Sequence, residues 1–148
     1  MTDLARAFPE TVLVLDHVGG PLGIGPYEGR RAEVFEGWKA DLVELAKSPN
    51  VVVKLGGLGM AICGFGFHKR ETPVSSEELA QAWRPYIETC IDLFGAERCM
   101  FESNFPVDQV SCDYRTLWNA LKRLAAGASA DEKALLFRDV AKGTYRLA

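Results

Sequence analysis

Residues capable of acid–base chemistry follow apolar runs of this sequence, at the points where the runs end. His17 follows the run at residues 11–15, while Glu102 and Asn104 follow the run at residues 99–101. A histidine can exchange protons near neutral pH, and a carboxylate can act as an acid or base in a suitable site. Asparagine is neutral and cannot act as a general base. We therefore take His17 as a candidate base and Asn104 as a candidate for orienting a substrate carbonyl.

Each of these candidates also has a purely structural interpretation. His17 precedes a Gly-Gly pair, which favours a substrate-binding or base residue over a buried, hydrogen-bonded histidine. Asn104 either orients a substrate carbonyl or caps the loop before Pro106. Glu102 either acts in the site or is the solvent-exposed partner of Arg98, and the pairing with Arg98 is the interpretation that we favour.

Three basic residues are further candidates for binding substrate, together with Glu102. Lys54 interrupts an apolar run, which indicates either an internal ion pair or a substrate contact. His68 and Arg70 lie in an unusually long connection, residues 56–73, and loops of this length are commonly lids or binding loops. Their basic cluster is either a solvated loop surface or a contact for an anionic substrate.

Three short apolar, β-branched runs separated by amphipathic helical patterns predict a parallel α/β sheet. Parallel neighbours place the polar strand ends at one edge, where ligands of such folds bind. Three strands with two apolar faces would leave both outer edges unpaired, so this sheet is incomplete. The predicted strands are residues 11–15, 51–55 and 98–102, and the helices are 31–47, 76–94, 114–127 and a last one after Ser129.

Composition narrows the class of protein. The chain has 148 residues, 48% apolar and 25% charged, and this size and balance are typical of one globular domain. A net charge of −3 with scattered basic residues argues against nucleic acid as a partner, and no apolar run or leader pattern indicates a membrane. We expect a cytoplasmic protein. The four cysteines lack zinc-site spacing, and we interpret them as reduced thiols without a catalytic role.

Three motifs together resemble the closing part of the amidohydrolase-related TIM-barrel hydrolases, in the branch that includes dicarboxylate and sugar lactonases. The motifs are LDHVGGP at residues 15–21, NVVVKLGG at 50–57 and RCMFESNFPVD at 98–108. The resemblance implies a partial (β/α)8 barrel over residues 1–148, formed by the last three βα units with parallel strands and an extra C-terminal helix. Members are typically about twice as long.

The resemblance also implies a chemistry of which this chain holds only part. In that family a His-x-His pair on the first strand and an aspartate on the last bind a divalent metal, or bind substrate and activate water in metal-independent lactonases. No His-x-His occurs here, and Asn104 stands where the aspartate is expected. A catalytic zinc normally has three protein ligands. We therefore expect no metal for this chain alone, although zinc or manganese is compatible with full-length relatives.

Three functions remain open. The first is hydrolysis of a lactone or similar cyclic ester, with His17 polarising the carbonyl or activating water and Asn104 positioning it. The second is a non-catalytic barrel fragment or partner domain, and the third is a decarboxylase of the same superfamily. We expect a small-molecule substrate, and either a homo-oligomer or association with the missing N-terminal barrel half.

Overall fold

A computed structural model describes all 148 residues as an α/β fold around one three-stranded parallel sheet. Helices cover the chain between and after the strands, and the last of them follows a short π-helical turn. The strands are β1 (Leu13–Leu15), β2 (Val51–Leu55) and β3 (Cys99–Phe101), and the α-helices are α1 (Thr2–Ala7), α2 (Arg31–Ala46), α3 (Ser76–Phe94), α4 (Tyr114–Leu124), α5 (Ala130–Ala134) and α6 (Val140–Tyr145).

The strands are neighbours in chain order, with β2 in the centre. Leu13 pairs with Val51, and Val53 pairs with both Leu15 and Cys99. This confirms the parallel arrangement predicted from the alternation of strands and helices. The first strand is shorter than predicted because residues 11 and 12 precede the ladder, and Val12 is largely exposed.

Helices α2 and α3 form where the sequence carries apolar stripes, and they cover the sheet with buried aromatic and aliphatic side chains. Helix α3 begins at a capping box in which Ser75 and Glu78 bond each other's backbone N–H groups. It runs through Pro85 and ends at Gly95, whose φ of 76° suits glycine. Its inner face buries Trp83 and Phe94 completely or nearly so.

Burial is uneven across the sheet. All three residues of β3 are buried, β2 alternates between buried and half-buried residues, and all three residues of β1 are half-buried. The half-buried positions of β2 are Val52 and Lys54, so one face of the central strand is only partly covered. None of the helices is both long enough and apolar enough to cross a membrane.

Candidate active site

Glu102 is the centre of a polar cluster at the carboxyl ends of the strands. Its Oε1 accepts from the His17 ring Nδ1 at 2.6 Å and from the His17 backbone N–H at 3.2 Å. Its Oε2 lies 2.6 Å from the ammonium of Lys54. The side chain is only 9% exposed, so this carboxylate needs its partners.

The favoured prediction that Glu102 pairs with Arg98 is therefore wrong. Arg98 instead donates to the backbone carbonyls of Phe94, Ala46 and Ser48, where it ties the start of β3 to the ends of α2 and α3. Glu102 and Arg98 are four residues apart on an extended segment. Extended chain rises about 3.3 Å per residue, so the two side chains start well apart.

Lys54 joins the cluster through two carboxylates. Its Nζ lies 2.9 Å from Asp16 Oδ1 as well as 2.6 Å from Glu102 Oε2. Burial disfavours the charged form of Lys54, but hydrogen bonds to Glu102 and Asp16 outweigh this and raise its pKa well above the ordinary value. Of the two interpretations of Lys54, the structure shows the internal ion pair, and a contact with substrate stays a prediction.

His17 lies on a tight turn after β1 whose backbone is left-handed. Its φ is 54° and that of Val18 is 49°, a region that β-branched residues rarely adopt. The buried Trp38 holds this turn by donating its indole N–H to the Val18 carbonyl at 2.7 Å. The His17 ring also packs on Gly57, where an added Cβ would lie 2.5 Å from the His17 Cγ.

The state of the His17 ring follows from its partner. An ionised carboxylate can only accept hydrogen bonds, so the 2.6 Å contact assigns a proton to Nδ1. Nε2 makes no hydrogen bond within the protein, and the side chain is 28% exposed. The structure therefore holds a histidine in one orientation with its second nitrogen available.

Asn104 follows Glu102 by two residues, and its side chain is hydrogen-bonded to Asp108. Its Nδ2 donates to Asp108 Oδ1 at 2.8 Å, and the Gly59 N–H donates to Asp108 Oδ2 at 3.2 Å. Asp108 has no exposed surface, and burial raises the pKa of its carboxyl group although both hydrogen bonds lower it. Asn104 also has a left-handed backbone, with φ of 51°.

Sequence reasoning missed Asp16 and Asp108 as members of this cluster. Asp16 is adjacent to His17, and its position after an apolar run was a usable signal. Asp108 follows Asn104 by four residues, and its amide N–H donates to the Asn104 carbonyl. Asn104 has a left-handed backbone and regular helical structure begins only at Val107, so no local periodicity in the sequence identifies Asp108.

The structure places the other two predicted substrate contacts elsewhere. Arg70 forms an exposed ion pair with Glu78 at 3.0 Å. His68 is exposed and lines a cavity of about 310 Å³ between the loop of residues 19–29 and the connection of residues 56–73, beside Arg31 and Lys69. Neither His17 nor Glu102 lines this cavity. A role for His68 or Arg70 in binding substrate stays a prediction.

The four cysteines are all buried and unpaired. Burial raises the pKa of Cys63 to about 11 and the pKa of Cys112 to about 12. A thiol is reactive as the thiolate, so both are inert near neutral pH. The free thiols agree with the prediction that the cysteines are reduced, and the absence of a catalytic role stays a prediction.

A metal ion fits this cluster poorly. Ligand atoms of Asp16, His17 and Glu102 lie within 4.8 Å of one another, which is close enough for a shared cation. The Lys54 ammonium, however, already lies between the two carboxylates, and His17 Nδ1 takes the remaining Glu102 oxygen. A metal here would have to displace a paired lysine. The expectation that this chain alone binds no metal stays a prediction.

Comparison with known proteins gives the family. The amidohydrolase family model matches residues 1–147, so the chain belongs to the amidohydrolase family, and the resemblance in the three motifs is confirmed. An uncharacterized protein, y4mH, from Sinorhizobium fredii is 39% identical over 145 residues, which are 98% of this chain and 42% of that protein. The L-fucono-1,5-lactonase of Burkholderia multivorans is 30% identical over 136 residues, which are 91% of this chain and 43% of that enzyme.

The similar solved structures are also amidohydrolases. An amidohydrolase from Burkholderia multivorans with bound HEPES aligns with a TM-score of 0.83 at 27% identity, over 99% of this chain and 48% of that one. A second crystal form of a Burkholderia multivorans amidohydrolase, with bound zinc, aligns with a TM-score of 0.82 at 26% identity. The chain therefore spans less than half the length of the relatives that it matches.

Proposed function

We propose that this chain forms the last three βα units of a (β/α)8 barrel hydrolase that opens a lactone or similar cyclic ester. The observation that carries the proposal is His17, whose Nδ1 is held by Glu102 while Nε2 is unbonded at the carboxyl end of a parallel strand. Catalytic residues of (β/α)8 enzymes lie at that end of the strands. The lactonase among the relatives supports a cyclic ester as the substrate.

In the proposed reaction His17 acts as the general base. Nε2 takes a proton from water, the water oxygen bonds to the acyl carbon, and the ring C–O bond breaks. The ring oxygen then receives the proton and becomes a hydroxyl group. Glu102 stabilises the imidazolium that forms on His17, and Lys54 balances the charge of Glu102 in turn.

Asn104 positions the water or the substrate in this scheme. Its side-chain carbonyl oxygen makes no hydrogen bond within the protein, whereas its nitrogen is bound to Asp108. A free carbonyl oxygen accepts a hydrogen bond from a water molecule or a substrate hydroxyl. Asn104 thus supplies orientation, and His17 supplies the proton transfer.

A closed active site needs more strands than the three of this sheet. The partly covered face of β2, with Val52 and Lys54, and the neighbouring Val14 of β1 face the region where a barrel interior would close. We propose that the first five βα units cover this face, either within a longer chain or as a separate chain. Functional groups of that half would complete the site.

A lactonase assay tests this function. Ring opening of L-fucono-1,5-lactone and of simpler lactones is measured with the chain alone and with the chain co-expressed with the first half of a full-length relative. We expect turnover in the complemented form, and a loss of about 10²-fold or more in His17→Gln, as for removal of a general base. Lys39→Gln, on the exposed face of α2, is the control and should keep wild-type turnover.

A non-catalytic partner domain is the second candidate. The observation that favours it is Asn104, because the last strand offers an amide where a carboxylate would be a stronger acid–base or ligand group. Under this alternative neither form turns over lactones, and His17→Gln changes nothing in the assay. Decarboxylation by the same superfamily has no specific support in this site.

A further inference from the structure

A buried carboxylate lies behind the candidate site and contacts it only through a neutral side chain. Asp108 is fully buried, and both of its carboxylate oxygens are used: Oδ1 by Asn104 and Oδ2 by the Gly59 N–H. It cannot touch a substrate directly. Burying a charged carboxylate costs free energy of folding, and an apolar side chain would fill the same space without that cost.

We propose that Asp108 is a positioning residue that fixes the orientation of the Asn104 amide, so that the nitrogen faces Asp108 and the carbonyl oxygen is presented to the site. This inference rests on the proposed hydrolysis, because it states what Asn104 offers to the water or substrate. An ionised carboxylate accepts hydrogen bonds and donates none. The amide group beside it must therefore present its N–H.

Without such a partner the amide orientation is not determined. The carbonyl and NH2 groups of asparagine are nearly equal in shape, and the amide can exchange them by rotation about one bond. One orientation offers the site a hydrogen-bond acceptor and the other offers a donor. Asp108 removes this ambiguity through the 2.8 Å contact of Oδ1 with Nδ2.

The surrounding backbone holds Asp108 where it can do this. An added Cβ on Gly59 would lie 2.7 Å from the Asp108 Cγ, so the carboxylate packs directly on glycine backbone. The Ser111 hydroxyl donates to the Gly59 carbonyl and fixes the same segment from the other side. Two residues earlier, Gly57 packs on the His17 ring. Residues 57–59 therefore set Asp108 and His17 relative to each other.

The charge of Asp108 interacts with the charged groups of the candidate site. Two titratable groups act on it, His17 and Glu102, and Asp108 in turn raises the pKa of the Cys63 and Cys112 thiols. His17 favours its charge and Glu102 opposes it. Replacing Asn104 by aspartate would place a second carboxylate against Oδ1, and two carboxylates at that distance share one proton. The amide at position 104 is the partner that a buried carboxylate tolerates.

The isosteric variant Asp108→Asn tests the proposal in the full chain, complemented as in the lactonase assay. The amide introduced at position 108 can accept from the Gly59 N–H and donate to Asn104, so the Asn104 amide flips without loss of hydrogen bonds. We expect the urea midpoint to stay close to that of the wild type while kcat falls about tenfold or more, with a smaller change in KM. Asp113→Asn, which alters an exposed carboxylate that caps α4, should leave kcat unchanged.

The exchanged pair Asn104→Asp with Asp108→Asn separates positioning from packing. It restores a carboxylate–amide hydrogen bond in reverse and again presents an acceptor oxygen from position 104 to the site, so we expect a near-wild-type urea midpoint and a kcat well above that of Asp108→Asn alone. A kcat in the exchanged pair no higher than in Asp108→Asn, or unchanged kcat in Asp108→Asn, would overturn the positioning role.

A readout that needs no turnover keeps this inference separate from the proposed hydrolysis. NMR follows the Asn104 side-chain NH2 signals, which are assigned by their disappearance in Asn104→Asp. We expect solvent exchange of these protons to be at least about tenfold faster in Asp108→Asn, because the flipped NH2 faces the site. Equal exchange rates in the two proteins would overturn the positioning role even if no lactone is hydrolysed.

Discussion

Glu102 connects His17 to Lys54 through one nearly buried carboxylate, and this connection defines the site at the scale of single residues. Three of the four non-glycine residues with positive φ, His17, Val18 and Asn104, lie beside it. Such backbone conformations cost of order 1–3 kcal/mol each and persist where the surrounding structure imposes them. Their concentration here is typical of a functional site.

The first prediction concerns the tautomer of His17. Because Nδ1 faces the carboxylate of Glu102, we expect neutral His17 to carry its proton on Nδ1. Long-range ¹H–¹⁵N NMR distinguishes the two ring nitrogens. His68 is exposed, makes no hydrogen bond and serves as the internal control, so its ring should lack this fixed preference. An Nε2-protonated His17 would contradict the assigned geometry.

The second prediction concerns Lys54, whose removal leaves two carboxylates without their shared cation. We expect Lys54→Met to lower the free energy of unfolding by about 3 kcal/mol, the low end for a broken buried ion pair, since Asp16 is largely exposed. Urea denaturation measures it. Lys47→Met, which breaks an exposed pair with Glu44, should cost about 0–1 kcal/mol.

The pH dependence of this effect has a definite sign. The folded-state pKa of Lys54 is raised above the ordinary value of about 10.4. Its stabilising contribution is therefore complete below that value and is lost only as the pH rises through the folded-state pKa. The cost of Lys54→Met should accordingly be the same at pH 7 and pH 9. A penalty that vanished by pH 9 would contradict the raised pKa.

At the scale of elements, the glycine segment after β2 acts as a common wall for the side chains of the site. Gly56 packs on Glu102, Gly57 on His17 and Gly59 on Asp108, each closer than a Cβ would permit. The segment thus joins the ends of β1 and β3, which are not neighbours in the sheet. This explains why the connection begins with glycines directly after a regular strand.

The third prediction tests this wall with Gly57→Ala. Gly57 has a φ of 70°, so alanine introduces backbone strain in addition to a clash with the His17 ring. Gly20→Ala is the matched control, because its φ is 64° and nothing lies within 4 Å of the added Cβ. Both variants should lose about 1–2 kcal/mol to strain. Only Gly57→Ala should lose more than this and shift the His17 NMR signals.

At the scale of the whole molecule, the sheet has open edges and a partly covered face. The outer edge of β1 has no strand partner, Val12 is 59% exposed, and all three β1 residues are half-buried. An unpaired apolar edge is a template for pairing with another chain. The relatives, which are more than twice as long, have additional chain available to cover such an edge.

The fourth prediction is that the isolated chain does not remain a free monomer. We expect light scattering to show self-association, or a complex with the first half of a full-length relative when both are present. Val12→Lys places a charge at the β1 edge and should shift the protein toward monomer. Val43→Lys, on the exposed side of α2, should leave association unchanged. A stable, well-folded wild-type monomer would refute this prediction.

The sequence by itself determined the order of the elements and the polar strand ends. Apolar runs and helical periodicity are local properties, and consecutive parallel strands bring their carboxyl ends to one edge. His17, Lys54 and Glu102 were therefore identifiable as neighbours of a site. The helix bounds of α3 followed equally from its capping box and terminal glycine.

Only the tertiary structure decided which of these groups contact one another. His17 and Glu102 are 85 residues apart, and their 2.6 Å contact depends on strand register and on the left-handed turn after β1. The local pairing of Glu102 with Arg98 was reasonable from sequence distance and wrong in space. Asp108 was missed because its importance arises from complete burial against Gly59, and burial is a property of the packed molecule rather than of residue type.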